Sequence, residues 1–296
     1  MGDKQATRSD GDEQAALWNG PSGHAWVEAQ ALIDQMLKPL EDLLVEAISP
    51  GAGQQALDVG CGAGGTTLAL ARRVGAGGHC TGIDISGPLI DAARARAQRE
   101  GTAASFIRAD AQTHAFAPAS FDTIVSRLGV MFFADPVAAF ANLRRAARDG
   151  AGLHCIAWRS AAENPFMTTA ERAAAPLLPN LPPRRPGAPG QFAFGDRQRV
   201  LSVLEESGWT GIDIRPIDVD CTLPEPALEG YFTRLGPVGL ALPDAGPHTR
   251  AQVIETVRAA FEPYVHGQTV RYTAACWMIT AQAPTASQAP KVGRHA

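Results

Sequence analysis

The chain has 296 residues, 45% of them hydrophobic, and a formal net charge of −4 from 26 basic and 30 acidic side chains. That supports a substantial α/β core, and the scattered basic residues form no stripe for neutralising phosphates, which argues against a nucleic-acid binder. No apolar run approaches the ~20 residues of a membrane helix, no charged-then-apolar signal segment opens the chain, and five cysteines without CxxC or metal-ligand spacing fit reduced thiols in a cytoplasmic protein with no metal and no membrane partner.

Residues 1–13 read as a disordered leader. Cap helices are expected over 14–50, with a helical stretch from Ala25 to Ile48 in which Val27, Leu32, Ile33, Leu37, Leu40, Leu44 and Ile48 fall near helical spacing. Pro39 should kink or split it. From 51 to 159 the pattern alternates. Strands are expected at Gln55–Val59, His79–Ile85, Ser105–Ala109, Phe121–Ser126 and Gly152–Trp158, with helices at Gly65–Val74, Pro88–Glu100 and Val137–Ala147. Such alternation implies a parallel sheet covered by helices on both faces. Seven prolines then mark 160–195 as an irregular cap insertion with one helix near Met167–Ala174. A helix at Arg197–Ser207 and a strand at Thr210–Cys221 resume the core over 196–222. Residues 223–266 read as a second, helical cap insertion, 267–282 as the last core strand, and 283–296 as a disordered tail.

The strongest chemical signal is Ala56-Leu57-Asp58-Val59-Gly60-Cys61-Gly62-Ala63-Gly64-Gly65-Thr66-Thr67. A short apolar strand runs into a glycine turn and then a helix, so the backbone can approach a ligand closely while the first helical amides stay available to it. Gly60, Gly62 and Gly65 also satisfy the dinucleotide pattern GxGxxG. Asp58 separates the two readings. A carboxylate two residues before the first glycine is unwelcome beside a pyrophosphate, but suits the ammonium of a methionine moiety. Asp84, ending the second strand, can accept from both ribose hydroxyls, as it also would for NAD. Asp110, after the third strand, can accept from an adenine amino group while the Ala111 amide donates to the ring. All three acids fall at the sheet edge where open α/β folds bind ligands.

From Ala56 to Trp158 the chain resembles class I S-adenosylmethionine-dependent methyltransferases, especially the UbiE/Coq5-like small-molecule group. The glycine loop, Gly82-Ile83-Asp84-Ile85-Ser86, Arg108-Ala109-Asp110-Ala111 and Phe121-Asp122-Thr123-Ile124-Val125-Ser126 match in order. The segment from Leu17-Trp18-Asn19-Gly20 to Trp26, and Gly129-Val130-Met131-Phe132-Phe133, also resemble a bacterial subset. The resemblance implies a Rossmann-like, seven-stranded, mostly parallel α/β sheet with the last strand antiparallel, helical caps, and S-adenosylmethionine as cofactor. It implies cofactor contacts at Asp58, Gly60, Cys61, Gly62, Asp84, Ile85, Asp110, Ala111, Ser126 and Trp18. Thr66 and Thr67 would bind the cofactor carboxylate or simply cap a helix.

Methyl transfer from a sulfonium is an in-line displacement that needs alignment and exclusion of water more than acid–base chemistry. Arg127, beside the expected methyl position, is the one candidate catalytic side chain: it would hold an acidic acceptor or serve as a structural ion-pair partner. Trp26, Arg127, Phe132, Trp158, Phe166, Phe194 and Tyr231 are expected around a small hydrophobic or aromatic acceptor. A homodimer is compatible with the sequence. The rivals are an NAD-dependent oxidoreductase, which leaves Asp58 and Asp110 unexplained, and a non-catalytic S-adenosylmethionine-binding protein.

Overall fold

The computed structural model describes residues 10–48, 53–185 and 187–285. Three helices, α1 (Asp10–Asn19), α2 (Pro21–Glu28) and α3 (Gln30–Ile48), precede the sheet. Then follow β1 (Gln55–Val59), α4 (Gly65–Val74), β2 (His79–Asp84), α5 (Gly87–Glu100), β3 (Ala104–Arg108), β4 (Phe121–Arg127), α6 (Pro136–Ala146) and β5 (Ala147–Trp158). The remainder comprises α7 (Pro165–Ala174), α8 (Arg197–Glu206), β6 (Thr210–Pro224), α9 (Leu228–Arg234), α10 (Gly236–Ala241), α11 (Pro247–Ala260), β7 (Val265–His266) and β8 (Thr269–Gln282).

Local signals in the sequence place several of these boundaries. Ser86 caps α5 by accepting from the Leu89 amide, with Pro88 in the first turn, and Gly101 closes the helix in the left-handed region. Asp135 caps α6 ahead of Pro136 in the same way. Asp196 caps α8 by accepting from the amides of Gln198 and Arg199.

The strands order as β3-β2-β1-β4-β5-β8-β6, with the two-residue β7 paired to β8. β1 to β5 are parallel, and β8 runs antiparallel between β5 and β6. The expected seven-stranded arrangement is therefore present, joined by one short extra strand. Helices cover both faces, so the central strands are apolar throughout: Leu57, Val59, Ile124 and Val125 are all buried. α3 lays Ile33, Met36, Leu37, Leu40 and Leu44 against the sheet.

Some expectations are revised. Residues 10–13 belong to α1 rather than to a leader, while 1–9 and the tail from 286 lie outside the described residues. The break in the N-terminal helical stretch falls at Ala29, between α2 and α3, and α3 runs through Pro39. Proline costs a helix one amide hydrogen bond; in α3 the buried faces on both sides of Pro39, from Ile33 to Val45, hold the helix together.

Candidate functional site

β1 and β4 are neighbours whose C-terminal ends open on the same edge, and the loops that leave them cross in direct backbone contact. A Cβ on Gly60 would lie 2.7 Å from the Gly129 Cα, and one on Gly129 would lie 2.6 Å from the Val59 carbonyl oxygen. Only glycine fits at either position. Ser126 ties the crossing together. Its hydroxyl donates to the Val59 carbonyl (2.8 Å) and accepts from the amides of Gly129 and Val130 (3.2 Å each). Above this crossing lies a pocket lined by the glycine loop, the ends of β2 and β3, the loop after β4, and one face each of α1 and α3.

The acids at the strand ends differ in setting. Asp58 is 1% exposed and accepts a hydrogen bond from the Thr67 hydroxyl at 2.6 Å. Burial pushes its pKa up to about 7, against the opposing pull of the Thr67 hydroxyl and the Arg127 charge. Asp84 accepts from the Gly62 amide through one oxygen (2.8 Å) and from the Ser86 amide through the other (2.9 Å). It thereby fastens the glycine loop to the start of α5. Burial raises its pKa, and those amides oppose the shift. Asp110 accepts from the Gln112 amide at 2.8 Å, and the turn after it is held by Asn142 of α6, whose amide donates to the carbonyls of Ala111 and His114 (2.9 Å each).

Asp58, Gly60, Cys61, Gly62, Thr66, Asp84, Ile85, Asp110, Ala111, Trp18, Trp26, Arg127 and Phe132 all line the one pocket. Trp18 meets Trp26 and Phe132 edge-to-face at 5.5 and 5.2 Å, which makes an aromatic wall from three separate segments. α1 is fastened over the end of β2. The Asn19 side chain donates to the Ile85 carbonyl (3.1 Å) and accepts from the Gly87 amide (2.9 Å) and Arg108 (3.0 Å), while the Ser86 hydroxyl donates to the Trp18 carbonyl (2.6 Å).

Other expected site residues stand elsewhere. Ser126 and Thr67 are fully buried, and their hydroxyls are committed to the loop crossing and to Asp58, so neither lines the pocket. Trp158, Phe166 and Phe194, at 4%, 2% and 2% exposure, are packed in the core away from the pocket. Phe194 stacks on Phe140. Phe166 stacks on Tyr272 and Tyr231, and the Tyr231 hydroxyl reaches the Met167 sulfur. Phe166 and Tyr231 join the two cap insertions, and among the described residues no ring of either insertion lines the pocket. Arg127 donates to the Thr66 hydroxyl (3.1 Å) and to the Leu37 carbonyl (3.2 Å), so its guanidinium braces α3 against α4. Burial pushes the Cys61 thiol well up, consistent with a space-filling residue.

The sequence reading missed the contribution of α1 and α3. Gln14, Gln30 and Asp34 line the pocket; Asp34 accepts from Gln30 (2.7 Å) and pairs with Arg96 (3.1 Å), which also donates to the Ala63 carbonyl. Helical periodicity marks the apolar stripe of α3 but not which polar residues flank it on the ligand side. Leu128 was also missed. It lines the pocket in the left-handed region, at φ 65°, with its amide donating to the Ile156 carbonyl. Strain of that kind collects at functional sites, and no sequence signal announces it in a leucine.

Residues 56–150 match the methyltransferase domain family. The chain carries a class I S-adenosylmethionine-dependent methyltransferase domain. An uncharacterized protein of Mycobacterium tuberculosis is 30% identical over 184 residues, 61% of this chain and 62% of that one. The chain thus spans less than two thirds of that relative's length. Nocamycin O-methyltransferase of Saccharothrix syringae is 28% identical over 204 residues, 66% of this chain and 72% of that one. Among solved structures, phosphoethanolamine N-methyltransferase 2 of Haemonchus contortus, in complex with S-adenosyl-L-methionine, has the same fold at a TM-score of 0.58 and 15% identity, over 95% of this chain and 61% of that one. In the methyltransferase domain the residues fit the cofactor. The acids close three strand ends, and a Cβ built on Gly62, at φ 55°, meets nothing within 4 Å, so the loop presents open space to a ligand. Among the described residues no group of His, Cys, Asp and Glu could hold a metal ion, and no helix is long and apolar enough to cross a membrane.

Proposed function

We propose that this protein transfers a methyl group from S-adenosylmethionine to a small hydrophobic or aromatic acceptor. One observation carries the reading: the loop and acids that suit the cofactor open into the same pocket as the aromatic wall of Trp18, Trp26 and Phe132. Bound S-adenosylmethionine supplies an activated methyl carbon for in-line displacement. Asp84 would accept from the ribose and Asp110 from the adenine amino group, with the Ala111 amide donating to the ring. Asp58 would face the ammonium, its charge supported by Thr67 and Arg127. Arg127 acts here by holding Thr66 and α3 in place, not by gripping the acceptor. α1 and α2, fastened over β2 through Asn19 and Ser86, would keep water from the reacting pair.

Support for an oxygen acceptor comes from nocamycin O-methyltransferase, and support for a small-molecule acceptor also from aklanonic acid methyltransferase, 35% identical over 109 residues. Five buried cysteines without a disulfide support a cytoplasmic setting. The test is release of S-adenosylhomocysteine from S-adenosylmethionine in the presence of a panel of hydroxylated polycyclic aromatics, phenols, amines and peptides. Turnover confined to the aromatic hydroxyl compounds is expected; turnover with peptides alone would overturn the acceptor class. A protein that binds S-adenosylhomocysteine but methylates nothing in a broad screen would favour a non-catalytic binder.

A further inference from the structure

Gly11, Gln14 and Trp18 recur at helical spacing on α1, and that face lines the cofactor pocket. Gln14 is the polar side chain of this stripe. Its Oε1 is buried and has no hydrogen-bond partner among the described residues. Buried amide oxygens are almost always paired, so an orphan lining a ligand pocket points to a donor that arrives with the ligand. The attachment of α1 says which part of the ligand that is. Asn19 and the Trp18 carbonyl bind Ile85, Ser86, Gly87 and Arg108, all at the ends of β2 and β3. α1 therefore stands over the corner occupied by Asp84. There the carboxylate already accepts one amide on each oxygen, from Gly62 and Ser86, so about two of its four lone-pair sites remain for a ribose diol, and an acceptor on α1 would share that diol with it. We propose that Gln14 is a cofactor-binding residue whose side-chain oxygen accepts a hydrogen bond from a ribose hydroxyl of S-adenosylmethionine, so that α1 senses the cofactor directly.

The proposal rests on the S-adenosylmethionine reading, and binding of S-adenosylhomocysteine by the wild-type protein tests that reading separately. The experiment is calorimetric binding of S-adenosylhomocysteine and of its 2′-deoxy and 3′-deoxy analogues to the full chain and to Gln14→Leu and Gln14→Glu. Leucine keeps the helix propensity and approximate size of glutamine, and glutamate keeps an accepting oxygen. Gln14→Leu should bind S-adenosylhomocysteine about ten-fold more weakly, while one of the deoxy analogues binds wild type and Gln14→Leu equally. Gln14→Glu should retain the discrimination between S-adenosylhomocysteine and that analogue, which keeps the proposal testable if the leucine variant folds poorly. Equal losses on all three ligands, unchanged affinity in Gln14→Leu, or no discrimination by Gln14→Glu would overturn it.

Discussion

Asp58 offers the sharpest test of how burial and function oppose each other at this site. Its side chain is 1% exposed, and its pKa is raised from 3.8 to about 7. The folded chain therefore holds a proton between those values that the unfolded chain releases. Stability contributed by this group is largest below the unfolded pKa, falls as pH rises through the window from 3.8 to about 7, and is level above it. About three pH units at 1.36 kcal/mol each amounts to about 4 kcal/mol. Asp58→Asn removes the titration while preserving size and an acceptor for Thr67. The unfolding free energy of Asp58→Asn minus that of wild type should accordingly grow by about 4 kcal/mol between pH 4 and pH 8. The assay is urea unfolding of ligand-free protein followed by tryptophan fluorescence, since Trp158 and Trp209 are buried, at five pH values with m compared throughout. A difference that stays constant across the range would refute the reasoning. In the wild type, ionised Asp58 facing an ammonium should make S-adenosylhomocysteine binding strengthen as pH rises through 7, and Asp58→Asn should lose that dependence.

Asp84→Ala should weaken S-adenosylhomocysteine binding by about 1.5–3 kcal/mol in calorimetry, and lower the Tm as well, because the Gly62 and Ser86 amides lose their acceptor; unchanged affinity in folded protein would remove Asp84 from the site. Phe166→Ala should cost about 3–5 kcal/mol of unfolding free energy, given its stacking on Tyr272 and Tyr231. It should leave S-adenosylhomocysteine affinity intact, and a large affinity loss would return Phe166 to the pocket. Asn19→Ala should speed cofactor dissociation in stopped-flow and raise hydrogen exchange at the Gly87 amide, which Asn19 otherwise holds; equal rates would mean α1 needs no such fastening.

The glycine-loop side of the candidate site was legible because each of its signals is local to one strand end. Glycines and a preceding acid announce a loop, and an acid that ends an apolar strand announces its own edge. Asp58, Asp84 and Asp110 needed no knowledge of packing to be placed together. The aromatic side of the candidate site depends on long-range contacts that no local pattern encodes. Phe166 and Trp26 are equally aromatic, but Phe166 has Tyr272, more than a hundred residues later, to stack on. Trp26 instead meets Trp18 on the pocket wall. Asp34 was invisible for the same reason, since its partner Arg96 lies on α5. The helix break at Ala29 rather than Pro39 shows tertiary burial overriding a local breaker.

The central seat of β8 sets the order in which this sheet can be completed. β5 and β6 both precede β8 in the chain, yet neither touches the other except through it. During synthesis, which proceeds at about 5–20 residues per second, β1 to β5 can assemble from neighbouring pieces. β6 and the helices after it meanwhile wait beside an open edge of β5. That edge is a template for any free strand, including one from another copy of the chain. The interval between emergence of β5 and arrival of β8 is therefore the period in which nascent chains are most exposed to mispairing and most in need of chaperone cover.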